Sequence, residues 1–379
     1  MQLKMLAAAA AAAAALAAAA APAAAYPQFQ LSTGNSRCNL CHIAPAGGGL
    51  INGYGRSEAG DTISQLGGDG SFLYGAYEEP DWIKLGVDLR AAALIRDRGE
   101  EQDPEHHLFP MQGDIYAYLR AKDFSLYATV GPRAQVRPPR DSFLDRIGSR
   151  EHWVMWRKRT TGYYARAGRF YAPFGLRSQD HTLYTRRYLG FHTLEETYNL
   201  SGGRVENEWE WHATAFTRVP DALDGNGPRH TGVAGYYERR LGEDEDMAVG
   251  AQARAALGSD DRQYLVGGVG KLYLDGPRLL LLGELDVGYQ DFTFGAAGRP
   301  QLAGYLGVTY WPLTGLMLGA AFEQFAQDLT VADTSREAAQ LTVQYFPLAH
   351  WEIMLIGKVE TGSLGDPATL GMLQLHYYL

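Results

Sequence analysis

The sequence predicts an all-β chain: a transmembrane antiparallel β-barrel of about 16 strands behind a short N-terminal segment. Three observations carry this. From Trp82 onward, apolar and polar residues alternate with period 2 over many short segments. The connections between those segments alternate between tight turns and longer polar stretches. The chain ends in an aromatic-rich amphipathic run, His376-Tyr377-Tyr378-Leu379. Composition agrees, with 23 Tyr, 7 Trp and 45 Gly among 379 residues. Tyr and Trp suit membrane interfaces, and Gly suits close strands and tight turns. A mean hydropathy of −0.24 excludes a helical membrane protein but not a barrel, whose strands show lipid only one face. A net charge of −9 with no basic stripe excludes nucleic-acid binding.

Residues 1–25 open with Lys4, continue as an alanine tract and end Ala23-Ala24-Ala25. A charged start, an apolar stretch and an Ala-x-Ala end predict a secretory signal. Residues 26–80 form a second part, rich in glycine and too short to bury a good core alone. It is expected to plug or cap one mouth of the barrel. Residues 81–379 form the barrel itself.

Sixteen strand segments are expected to start near residues 82, 110, 123, 151, 162, 193, 208, 231, 247, 263, 277, 301, 315, 337, 351 and 367. The first sets Leu85, Val87, Leu89, Ala91 and Ala93 against Lys84, Asp88 and Arg90. The last sets Leu373, Leu375, Tyr377 and Leu379 against Gln374 and His376. Such a pattern fits lipid outside and a wet lumen inside, or equally the inverse packing of a soluble sandwich. The C-terminal strand favours the membrane barrel, resembling the signal read by barrel-assembly machinery, with Leu where an aromatic is usual. Tight turns are expected at residues 121–123, 160–162, 206–207, 276–277, 314–315 and 349–350, with polar loops between. Short periplasmic turns and long outer loops are the bacterial outer-membrane rule. An even strand count then puts both termini on the periplasmic side.

The only two cysteines of the chain lie in Cys38-Asn39-Leu40-Cys41-His42. Cys-x-x-Cys-His is the attachment signature of a c-type haem, with two thioether bonds and a proximal histidine ligand. Zinc would need further Cys or His ligands at regular spacing, and a thioredoxin-like dithiol would need a βαβ context. Neither is present. One covalent haem c is therefore expected on Cys38 and Cys41, with its iron on His42.

The motif runs on to Pro45 and then Leu50-Ile51-Asn52-Gly53-Tyr54-Gly55. A haem motif followed by Pro and Leu-x-Asn-x-x-Gly resembles the haem segment of the fused outer-membrane monohaem cytochrome c–porins. The resemblance covers the whole layout of signal, single haem motif and barrel. It implies that Cys38 and Cys41 hold the haem and that His42 is the proximal ligand. Several members of that family are iron(II) oxidases, so the resemblance implies such an activity. The Gly47-Gly48-Gly49 insertion departs from the iron-oxidase pattern and puts the substrate, more than the architecture, in doubt.

Between Ile43 and Glu105 there is neither Met nor His, so a distal ligand must come from the barrel, from a weaker donor, or be missing. His376 is the candidate, facing the lumen at the periplasmic end of the last strand; His350 and Met372 are the others. The longest connection, Pro173 to His192, resembles the infolded third loop of many porins, or else is a solvent-exposed outer loop. Its Asp180 and His181 could meet a metal donor, though two adjacent ligands make no metal site. Glu100, Glu101, Asp103, Glu105, His106 and His107 form an outer acid–histidine group that binds Fe(II) weakly or is a solvated loop. The expected function is an outer-membrane electron conduit between an extracellular donor or acceptor and a periplasmic carrier such as a soluble cytochrome. The alternative is a diffusion porin whose haem segment is a plug or docking module.

Overall fold

A computed structural model describes residues 27–99, 103–132, 147–180, 182–192, 195–220, 229–362 and 367–379. Sixteen long strands form one closed antiparallel barrel. They are β1 (Ile83–Asp97), β2 (Glu105–Ala121), β3 (Phe124–Pro132), β5 (His152–Arg157), β6 (Tyr163–Phe170), β7 (Thr197–Val205), β8 (Trp209–Thr217) and β9 (Thr231–Leu241), followed by β10 (Met247–Leu257), β11 (Asp261–Leu274), β12 (Leu279–Phe292), β13 (Arg299–Leu313), β14 (Leu316–Ala326), β15 (Ser335–Tyr345), β16 (Trp351–Gly362) and β17 (Ala368–Tyr378). A two-residue strand β4 (Ile147–Gly148) adds to the end of β3. Each long strand pairs with its neighbour in sequence, and β1 pairs with β17 to close the cylinder, Arg90 opposite His376.

The strands form because side chains alternate across the pleat, and the barrel turns that alternation inside out. Leu89, Ile95, Leu126, Val266, Leu306 and Leu373 point outward and are exposed. On the inner face Asp88, Glu210, Glu238, Lys271, Glu323 and Lys358 are buried. A soluble sandwich would show the opposite distribution, so the alternation left open by sequence is settled for the barrel. Trp82, Phe124, Tyr163 and Tyr310 are exposed near the short-turn end, and Tyr264 and Tyr289 near the long-loop end. Aromatic rings at both rims are where a lipid interface favours them.

Strand starts fall within a few residues of expectation, with one larger difference. β2 begins at Glu105 rather than near residue 110, because His106 and His107 pair with Ile95 and Leu94 above a register shift at Arg90/Ala91. The acid–histidine group is thus partly strand. Its Glu100 and Glu101 lie outside the described residues, as do His181 and the expected signal.

The N-terminal segment lies in the lumen at the short-turn end. Helix α1 (Pro27–Thr33), the single turn α2 (Cys38–Cys41) and α3 (Gly53–Ser57) precede a π-helical turn, Glu58–Ile63. Phe29, Leu31, Ile51 and Ile63 pack against Tyr236, Val269, Leu280, Leu282 and Met317 of the barrel wall. Those inward apolar residues of β9, β11, β12 and β14 replace the usual wet lumen lining. The backbone then ties the segment to the β15–β16 turn. Gln65 and Leu66 donate to the carbonyls of Phe346 and Pro347 at 2.9 and 3.1 Å, and Ala349 donates to Gly67 at 3.3 Å.

Candidate functional site

The site starts from one helical turn. Cys38 and Cys41 are three residues apart on α2, so their side chains share a face. They are 3% and 4% exposed, and His42 is 3% exposed. After His42 the chain makes a narrow loop and returns antiparallel, with His42 bridging to Ile51. Asn52 locks this return. Its amide nitrogen donates to the Leu40 carbonyl at 2.8 Å, its backbone N–H donates to Cys41 at 2.8 Å, and its side-chain oxygen accepts from Gly55 at 3.0 Å. That last bond caps α3. Gly55 packs directly on Cys41, where a Cβ would lie 2.7 Å from the Cys41 carbonyl oxygen. The Leu-x-Asn-x-x-Gly run therefore has a mechanical role, which is to hold the motif's two cysteines and histidine in place.

The glycine insertion also has a physical reading. Gly47, Gly48 and Gly49 all have left-handed backbone, with φ of 79°, 81° and 61°. A Cβ on Gly49 would meet the Tyr127 hydroxyl at 2.7 Å. Three successive side chains in that conformation would be costly, so glycine is required. The turn delivers the Gly48 and Gly49 carbonyls to His42.

Burial holds the His42 imidazole neutral, lowering it to about 4 against the upward pull of the Gly49 carbonyl. Neutral imidazole is the form that ligates iron. Burial, with Glu58 and Cys38 beside it, pushes the Cys41 thiol up to about 12. A redox dithiol needs the opposite shift. Among the described residues no group of three or more His, Cys, Asp or Glu stands in metal-binding geometry. The donor set, two sulfurs on one face of a turn and a neutral imidazole beside them in an apolar wall, fits covalent haem.

His376 is differently employed. Its Nδ1 lies 2.7 Å from Glu352 and its Nε2 lies 3.1 Å from Asp88, so both ring nitrogens are held by carboxylates. Alternation puts Glu352 and Asp88, its neighbours on β16 and β1, on the same inner face. His350 faces the Gly70 carbonyl at 2.9 Å, and Met372 packs with Ala92 and Ile356.

The connection between β6 and β7 folds inward across the lumen. Gly175 N–H donates to Gln252 at 2.7 Å, Leu176 N–H to Glu284 at 3.0 Å and Tyr184 N–H to Glu323 at 2.6 Å. Phe174, Tyr184, Leu189 and Phe191 pack on Ala234, Ala256, Leu265 and Phe325 of the wall. The same loop reaches the N-terminal segment, since Leu176 packs in one cluster with Cys41 and Ile51. Between loop, glycine turn and wall remains a cavity of about 230 Å³ whose lining includes five arginines and five carboxylates, giving no field of a single sign.

Sequence reasoning missed Arg177 and the wall charges behind it. Arg177 donates to Glu210 at 3.2 Å and stacks 4.6 Å from the Tyr236 ring centre. Glu210 and Glu238 are direct cross-strand partners on β8 and β9, and Arg240 pairs with both. Alternation placed these side chains inward, but only the register reveals that two carboxylates face each other.

No protein-family model and no curated protein matches the chain. Solved structures resemble it in fold. The loop L8 deletion mutant of OmpT from Vibrio cholerae aligns with a TM-score of 0.60 at 15% identity, over 78% of this chain and 99% of that one. OprB from Pseudomonas putida gives 0.59 at 9% identity, over 79% and 94%. An anion-selective porin from Comamonas acidovorans gives 0.56 at 8% identity, over 78% and 99%.

Proposed function

We propose that this chain is an outer-membrane porin-type barrel whose periplasmic mouth is stoppered by its own N-terminal c-type haem segment. The observation that carries this reading is the Cys-x-x-Cys-His turn wedged inside a closed sixteen-stranded barrel at the short-turn end. The exposed apolar wall and the porin-like fold support an outer-membrane location. The short turns, the described N-terminal segment and Leu379 share one side, which by the bacterial rule would be periplasmic.

Cys38 and Cys41 would hold the haem and His42 would ligate its iron. Bound there, the group supplies a one-electron redox centre. The chain's own contribution is to hold the imidazole neutral, to exclude water with Phe29, Ile51 and Leu176, and to narrow the lumen with the infolded loop.

A second reading, electron transfer between the cell exterior and a periplasmic carrier, is favoured by one specific contact. Cys41 shares one apolar cluster with Leu176 of the infolded loop, so a redox centre held there would lie inside the barrel wall. Iron(II) is one donor this reading admits.

Pyridine-haemochrome assay of the purified protein tests the cofactor, with one haem per chain expected and none in C38A/C41A. Single-channel recording tests the stopper. The full chain is expected to pass little current, and a chain lacking residues 27–80 a large one. Equal currents would reject the stopper. Electron passage from a reduced dye inside proteoliposomes to a ferric acceptor outside, lost in C38A/C41A, separates conduit from plain porin.

A further inference from the structure

We propose that the luminal cavity between the infolded loop and the glycine turn binds a small zwitterion of the α-amino acid class, Arg166 taking its carboxylate and Glu151 and Glu196 its ammonium.

Register explains why Arg166 stands without an ion partner. Alternation along β6 points it inward, where it is 4% exposed. Its cross-strand neighbours are Met155 on β5 and Ser201 on β7, neither of them a carboxylate. The guanidinium lies 3.6 Å from the Phe170 ring centre and 5.5 Å from that of Trp153. Such stacking occupies the faces of a guanidinium and leaves its in-plane N–H groups to be matched. Among the described residues no hydrogen bond or ion pair meets Nε, Nη1 or Nη2. A buried cation in that state is costly, and either edge of its fork can take a carboxylate through two parallel bonds.

The other four arginines of the cavity are engaged. Arg90 meets Asp88 at 3.0 Å, Arg150 meets Asp114, Arg177 meets Glu210 at 3.2 Å, and Arg186 donates to the Phe191 carbonyl at 2.8 Å. Among the five carboxylates, Asp88 and Asp114 serve in those pairs, and Glu284 accepts from Leu176 N–H and from the Gln252 amide. Glu151 and Glu196 remain. Glu196 is 3% exposed, its Oε2 accepts no hydrogen bond among the described residues, and Arg169 stands 3.7 Å from it. Glu151 lines the cavity beside Gly49. Burial pushes its carboxyl up to about 7, with Arg166 opposing and Glu196 adding to the rise, so it lies within electrostatic reach of both. The cavity thus sets an unmatched fork beside two crowded carboxyls. A simple anion would suit the fork and be repelled by the carboxyls, and a simple cation the reverse. A zwitterion suits both, and about 230 Å³ admits one of several non-hydrogen atoms.

The test is equilibrium dialysis of the full-length protein in detergent against radiolabelled L-alanine, propionate or ethylamine, which are similar in size and differ in charge. Wild type should retain alanine about tenfold or more tightly than either of the others, the effect of one charge-assisted contact. R166Q should lose at least about tenfold for alanine. It removes an unmatched buried charge, so the barrel should keep its heat-modifiable migration. E151Q should weaken alanine and tighten propionate, a reversal that simple loosening of the site would not produce. Unchanged alanine affinity in folded R166Q would overturn the proposal. In wild type, propionate held as tightly as alanine would overturn it in favour of a plain anion site, and ethylamine held as tightly in favour of a cation site. Retention of none of the three would overturn it by showing a cavity filled with water alone. The wild-type comparisons stand whether or not either variant folds, and their failure leaves the haem and stopper readings intact.

Discussion

His350 shows how one side chain couples the stopper to pH. It lies in the β15–β16 turn, completely buried, with Nε2 against the Gly70 carbonyl. Burial lowers its imidazole from 6.5 to about 4, the Gly70 carbonyl opposes this, and Arg56 adds to it. The released segment leaves His350 in water, near its ordinary value. Below about pH 6.5 the released state therefore binds a proton that the docked state does not. Docking should be strongest above about pH 6.5, weaken as pH falls and level off below about pH 4. The loss is on the order of 3 kcal/mol at most. Urea-induced release of the segment, followed by protease access to residues 27–80, should have a lower midpoint at pH 4.5 than at pH 7.5. H350Q should flatten that difference, and an unchanged slope would assign the effect elsewhere. The docking contact is not legible in sequence, where His350 is a turn residue and one of the distal-ligand candidates. Its burial depends on Gly70, which is 280 residues away along the chain.

Among the elements, one carboxylate joins the infolded loop to two strands. Glu323 on β14 accepts from Tyr184 N–H and from the buried Lys358 of β16, each at 2.6 Å. Substitution by alanine strands a buried cation and an orphaned N–H together, at a cost of about 3–5 kcal/mol. E323A should therefore expose the loop to limited proteolysis between residues 171 and 196 and raise single-channel noise, while the barrel stays folded by heat-modifiable migration. An intact, protected loop would show that its apolar contacts suffice. Sequence made the strands legible because the alternation is local: β9, β10 and β16 begin at residues 231, 247 and 351, as expected from pattern alone. Leu89 and Leu373 face out and Asp88 and His376 face in for the same reason. The loop's inward course was not decidable, since its contacts with Gln252, Glu284 and Glu323 come from three separate strands. The Cys38–His42 signature stands out in sequence but its seat in the lumen does not, and the pairing of Arg177 with Glu210 required the closed register to find.

At the scale of the molecule, two kinds of cohesion meet. The cylinder is an uninterrupted ring of backbone ladders. The N-terminal segment is held by apolar packing, backbone bonds to the β15–β16 turn and side-chain bonds such as Arg37 to Glu245 and Asn207. Stability is then uneven, and the weaker unit should open first. In a urea titration, conductance is expected to appear before the β-sheet circular dichroism falls; a single concerted transition would mean that stopper and cylinder stabilise each other. The meeting of β1 with β17 has a further consequence. Val87 and Leu379 exchange backbone bonds at 3.2 and 2.9 Å, so Leu379 completes the ring directly beside the chain's entry from the N-terminal segment. Beside that seam, both sulfurs of α2 are buried with the segment docked in the lumen. Any group joined to those sulfurs would therefore have to be in place before the segment takes its seat.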